Sequence, residues 1–184
     1  MSMPRLFAAA AFVLLTALIA VPRGFAADMS VGVQFALFEK MWKLDRNFAA
    51  RDVVKIAVLY EETNAESTAM KDAAVAWMAS RQNFRASPVA LDAPNGVAAL
   101  RTVDADAFYV TRMRDANVWD VAKVARARDI RTMTGVQEYV RRGLSVAISA
   151  RNDRPQIILN LDAARAEGAA YQAQLLRLTN IVRD

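Results

Sequence analysis

The stretch Val53 to Tyr60, VVKIAVLY, constrains the fold more than any other part of the chain. It is rich in β-branched residues and almost continuously apolar, as a strand buried on both faces must be. A strand of this kind needs packed layers above and below it. Glu61-Glu62-Thr63-Asn64 ends it. Thr63 and Glu66 have the spacing of a capping box, in which each side chain satisfies a free backbone N–H at a helix start. The spacing predicts a helix from there to about Arg81, with Met70, Ala73, Ala74, Trp77 and Met78 turned inward.

Similar units recur along the chain. Residues 30–48 read as an amphipathic helix, with Val31, Phe35, Phe38 and Trp42 on one stripe and Leu37, Met41, Leu44 and Phe48 on the next. Arg85 to Leu91 reads as a weaker strand, and Pro88 within it argues for an edge position. Pro94-Asn95-Gly96 is a turn signal, followed by a short helical turn. Asp106 to Thr111 is the next strand. Asn117 is placed to cap a helix carrying Val118, Val121, Val124 and Ala125. Ile130 to Met133 is a short strand, and Thr134 with Gln137 repeats the capping-box spacing.

Gly143 to Leu161 breaks the alternation. Leu144, Val146 and Ile148 share one face of a strand, and Ile157, Leu159 and Leu161 share a face of another. The polar turn Arg151-Asn152-Asp153-Arg154 joins them, which reads as a β-hairpin. So short a loop makes the two strands antiparallel, and the hairpin is expected at the edge of the sheet. A helix capped by Asn160 or Asp162 follows and breaks at Gly168. A last helix is predicted through Tyr171, Leu175, Leu176, Leu178, Ile181 and Val182. The expected fold is α/β with three layers: a mostly parallel sheet, helices on both faces, and a C-terminal antiparallel hairpin.

Composition excludes several functions. The 184 residues include no cysteine and no histidine. Disulfides, thiolate metal sites, Cys/His nucleophilic sites and Ser/His/Asp triads are therefore absent. The N-terminus has the three parts of a secretory signal peptide: Arg5, an apolar run from Leu6 to Val21, and small residues at Ala26 and Ala27. That 16-residue run falls short of the ~20 residues that span a bilayer. The expectation is a cleaved signal peptide at 1–27, a single domain at 28–184, and a periplasmic location. Loss of Arg5 and Arg23 leaves 22 basic against 19 acidic residues, a net charge of +3. These charges are scattered, whereas nucleic-acid binding needs a clustered basic face. No nucleic-acid partner is expected.

Open α/β sheets hold ligands at the carboxyl ends of their strands. Here that rule assembles Thr63, Asn64, Thr111, Arg112 and Thr134 as a candidate small-ligand rim. The same residue types are preferred helix caps, so a purely structural role competes. Glu61 with Glu62, and Asp104 with Asp106, are the carboxylate pairs available for acid–base work. Sequence neighbours on an extended chain point in different directions, which argues against both. No Gly-rich phosphate loop is present. Lys55 inside the first strand reads as a snorkelling surface lysine. Trp42, Trp77 and Trp119 sit among apolar neighbours and are expected in the core. Arg151 and Arg154, at the hairpin tip, read as a solvated turn or a partner contact.

One resemblance sharpens this reading. A helix ending in Asp45-Arg46-Asn47-Phe48 precedes the strand Lys55-Ile56-Ala57-Val58. Gly143-Leu144-Ser145-Val146 and Arg154-Pro155-Gln156-Ile157-Ile158-Leu159-Asn160-Leu161 follow later. Ala163-Ala164, Gly168 and Leu175-Leu176-Arg177-Leu178 complete the pattern. It resembles the YfiR-like family of exported bacterial proteins. The resemblance implies a periplasmic α/β domain with no enzymatic activity and no cofactor. It further implies a regulator that binds the periplasmic part of a membrane signalling protein, with a diguanylate cyclase as the type partner and a homodimer as the type assembly. Without cysteine, redox control through disulfides is unavailable to this chain. The layout is also similar to one lobe of periplasmic solute-binding proteins, which makes a small-molecule ligand the alternative.

Overall fold

The computed structural model describes residues 29–152 and 154–183. The expected signal peptide lies outside them. Among the described residues no helix is long and apolar enough to cross a membrane.

The chain opens with α1 (Val31–Trp42) and then forms β1 (Val54–Tyr60), α2 (Ala65–Ala79) and β2 (Phe84–Ala90). A short α3 (Gly96–Ala99) leads to β3 (Ala107–Val110), α4 (Asp115–Ala127) and β4 (Arg131–Thr134). A 3-10 turn (Gln137–Arg142) precedes the hairpin strands β5 (Val146–Arg151) and β6 (Arg154–Asn160). The chain closes with α5 (Leu161–Ala166), α6 (Ala173–Leu176) and β7 (Asn180–Val182). The seven strands of the described residues form one sheet in the order β2-β1-β3-β4-β5-β6-β7. The pairs from β2 across to β5 are parallel, β5–β6 is antiparallel, and β6–β7 is parallel. The expected fold class is the observed one.

Each face of the sheet has its own core. On one face, α1 and α2 bury an aromatic cluster. Phe35 lies 4.8 Å from Tyr109 and 5.1 Å from Trp77, ring centre to ring centre. Phe38, Trp42, Phe48 and Phe84 extend the cluster. On the other face, α4 packs Val118, Val121, Ala122 and Ala125 against Ala57, Leu59, Phe108 and Val110. Alternate side chains of β1 and β3 enter opposite cores, as the strand period requires. The edge position expected from Pro88 is observed, since β2 lies at one end of the strand order.

Several local expectations are overturned. The last predicted helix contracts to α6, and Asn180–Val182 instead pairs with β6 as β7. The apolar spacing of residues 171–182 suits either state, and the outer side of β6 offered unpaired backbone groups. The hairpin is therefore inside the sheet rather than at its edge. Trp119 is half exposed on the outer side of α4, and Ala73 also faces outward, whereas Trp42 is buried. Neither capping box forms. Asn64, not Thr63, caps α2 by accepting from Glu66 N at 3.0 Å and Ser67 N at 3.1 Å. Thr134 Oγ1 accepts from Val136 N inside a tight turn and donates to Val110 O. Asn117 lies inside α4 rather than at its cap.

Candidate functional site

Strand order reverses beside β1: the chain leaves β1 through α2 for one side and leaves β3 through α4 for the other. In open α/β sheets such a switch point leaves a crevice beyond the carboxyl ends of the strands. A cleft of about 280 Å³ lies there. Met29, Val31, Ala69, Met70 and Val136 make its apolar wall; Ser30, Gln34, Glu66, Arg112 and Gly135 complete it.

Four segments converge to build it: the start of α1, the first turns of α2, and the chain leaving β3 and β4. Glu66 belongs to the first turn of α2, which Asn64 caps. Arg112 leaves the end of β3 and donates from Nε to Glu66 Oε1 at 2.6 Å. Both side chains of this pair remain accessible. Gly135 leaves β4 against the buried side chain of Gln34. A Cβ on Gly135 would lie 2.5 Å from Gln34 Nε2 and 2.7 Å from Oε1, so only glycine allows the two to approach. Gln34 is itself fixed: Nε2 donates to Met29 O at 2.7 Å, and Oε1 accepts from Tyr109 Oη at 2.9 Å. The cleft is an apolar slot with one accessible ion pair at its mouth.

Of the five rim residues expected from sequence, Arg112 alone lines this cleft. Thr63 faces away, donating from N and Oγ1 to Asp92 Oδ2 at 2.9 and 2.8 Å. Asn64 is spent on the α2 cap. Thr111 is buried, shares a 2.6 Å hydrogen bond with Ser67 Oγ, and donates to Leu59 O at 2.9 Å. Thr134 is buried in its turn. Sequence reasoning pointed to the edge of the sheet where this cleft lies but did not anticipate the apolar wall contributed by α1, which precedes β1 and carries no turn or cap signal for a ligand.

The carboxylates at this edge are structural. Glu61 is buried and accepts from Arg114 N at 3.1 Å, Arg114 Nε at 3.0 Å and Asn117 Nδ2 at 2.7 Å, which pins the start of α4. Glu62 points away and accepts from Tyr60 Oη. Asp92 is held down to about 2, first by the Thr63 backbone N–H, then by the Glu62 N–H and the Thr63 hydroxyl. It stays ionised and ties the loop after β1 to the loop after β2. Among the described residues no group of acidic side chains is placed to hold a metal ion. Asp104 and Asp106 sit at the opposite end of the sheet, paired with Lys55 and Arg51.

Arg151 and Arg154 are far from this arrangement in role. They are Cα partners in the last pair of the hairpin ladder, and both are exposed.

A doubly wound α/β domain with a ligand-sized cleft at its switch point is the class that fold and site define. The chain belongs to the YfiR/HmsC-like family, whose pattern it matches over residues 35–180. That family is one of periplasmic regulators. No curated protein matches it. Among solved structures it is similar to a conserved domain protein from Vibrio cholerae, with a TM-score of 0.65 and 13% identity, covering 85% of this chain and 61% of that one. It is also similar to an ABC domain from Streptococcus pneumonia solved in complex with L-Trp, with a TM-score of 0.62 and 14% identity, covering 83% of this chain and 60% of that one. The chain thus spans about three fifths of each of these structures. At such identities the likeness concerns the fold alone.

Proposed function

We propose that this protein is a non-enzymatic periplasmic regulator that binds the periplasmic part of a membrane signalling protein, with a diguanylate cyclase as the leading candidate. The family match over residues 35–180 carries the reading. The geometry supports it, because Glu61, Asp92, Thr111 and Thr134 at the carboxyl edge are all engaged in holding loops and helices. Regulation works by occupancy: the protein shifts its partner toward whichever state it binds more tightly. Deleting the gene should change the intracellular level of cyclic diguanylate, and restoring an exported copy should reverse the change. An unchanged level in both strains, with no membrane protein crosslinked to the exported chain, would reject the proposal.

A second reading rests on the cleft. Its 280 Å³ and its Glu66–Arg112 mouth suit a small amphipathic molecule that modulates the regulator. Thermal-shift and native mass spectrometry against a panel of periplasmic metabolites test it. A ligand whose stabilisation survives in the Gly135→Val protein, where the added side chain displaces Gln34 from the wall of the slot, does not bind there.

A further inference from the structure

The distal half of the β5–β6 hairpin stands apart from the rest of the sheet. The last residue of β5 paired with β4 is Ala147. From Ile148 to Arg151 the strand pairs with β6 alone. On the other side, β7 pairs only with Ile158 to Asn160, so Arg154 to Ile157 also has β5 as its sole neighbour. Arg151 is four residues past Ala147. At ~3.3 Å per residue the ribbon overhangs the carboxyl edge by roughly 13 Å. Ile148 and Ile157 anchor its base in the aromatic core.

The end of this ribbon carries a local conflict. Arg151 and Arg154 face each other as the last cross-strand pair. Like charges directly opposite in a sheet are destabilising. Neither arginine has an ion pair or hydrogen bond among the described residues. Edge protection explains part of the pattern, because Pro155 and a charge discourage pairing along the open side of β6. That role is served by charge of either sign, and it does not require a second arginine on β5.

We infer that the hairpin end is the surface on which the protein partner docks, and that the partner meets it with carboxylates. The inference rests on the proposed regulator function and names its contact surface. Two guanidinium groups side by side on a narrow ribbon form a pair of forks, which matches carboxylates in bidentate fashion. An anionic lipid surface is the poorer fit. The sequence from Arg151 to Pro155 offers no aromatic or long aliphatic side chain to insert among acyl chains.

The test uses the full exported chain with a photocrosslinking amino acid at Asn152 and, in a separate protein, at Lys123 on the outer face of α4. Intact cells are irradiated and the membrane fraction is examined. The expected result is a crosslinked product from position 152 that falls at least about tenfold in the Arg151→Glu single variant and in the Arg151→Glu/Arg154→Glu double variant. The single variant places opposite charges across the ladder, so its thermal midpoint should equal or exceed that of the parent. Lost crosslinking with retained stability separates docking from a structural role. A product from position 123 alone, or one from 152 indifferent to charge reversal, overturns the inference while leaving the regulator reading intact. No product from either position, with cyclic diguanylate unchanged on deletion, overturns both. Binding of the purified parent to phosphatidylglycerol vesicles, abolished by the same reversal, would show a lipid surface as the occupant and overturn the assignment to carboxylates.

Discussion

Two polar sites at opposite ends of the sheet, one beside the cleft and one at the start of β4, handle charge in opposite ways. At the carboxyl end lies an accessible ion pair, Glu66–Arg112, beside an open cleft. At the amino end of β4 the charges are sealed in. Asp45 is fully buried, and its Oδ2 accepts from Arg131 Nε at 3.2 Å. Its Oδ1 accepts from Asn47 N and Ala170 N, both at 3.0 Å. Arg131 also donates to the carbonyls of Asp129, Glu167 and Gly168. Beside this pair, Glu167 is buried among Thr132 and Ser145. The contrast teaches where to seek function. A buried polar network ties the C-terminal segment to β4 and to the turn after α1, whereas an accessible ion pair faces the cleft.

Breaking the sealed end should have the largest effect. Asp45→Ala leaves Arg131 buried without its counter-ion and should cost about 3–5 kcal/mol, read by urea denaturation. Arg131→Met in the same background should recover part of that loss, because it removes the stranded charge.

Glu167 gives the next largest effect and a pH signature. Burial raises its carboxyl from 4.5 to about 7, partly opposed by hydrogen bonds from Ser145 and Thr132 and by the charge of Arg126. The folded protein therefore holds this proton up to about pH 7, while the unfolded chain releases it near 4.5. Stability from this group is complete below about pH 4.5 and declines as pH rises to about 7. Glu167→Gln should flatten that decline and add up to roughly 3 kcal/mol at pH 8. A parent protein with equal stability at pH 5 and 8 would contradict this.

The open end should respond more mildly. Gly135→Ala drives a methyl group into Gln34 and should cost about 1–3 kcal/mol, and it should shift the fluorescence of Tyr109 as its hydrogen bond is disturbed. Asn64→Ala removes the α2 cap at a cost of about 1 kcal/mol. Arg112→Ala breaks a pair that is accessible on both sides and should change stability by less than about 1 kcal/mol. A loss above 3 kcal/mol at Arg112 would erase the distinction between the two ends.

Much of the fold was legible because its signals are local. VVKIAVLY announced a strand buried on both faces, Pro88 marked an edge, and Gly143 to Leu161 announced a hairpin. Signals failed where two residues offered the same local chemistry. Thr63 and Asn64 are both good caps, and the choice was made by Asp92, which lies 29 residues from Thr63 and claims its hydroxyl. Residues 171–182 have spacing suited to a helix, but the free side of β6 drew Asn180–Val182 into the sheet. The candidate site was half legible: Arg112 was expected at the rim, and the wall from Met29, Val31 and Met70 was not.

By itself the sequence determined the class of sheet, where along the chain the hairpin falls, and the absence of thiol and imidazole chemistry. Periodicity, turn residues and composition carry these without reference to distant contacts. Only the tertiary structure decided which carboxylates are buried, where the sheet opens into a cleft, and that Arg151 and Arg154 face each other on an overhanging ribbon. Each of those depends on strand order and register, which bring together residues that nothing in their own neighbourhoods distinguishes.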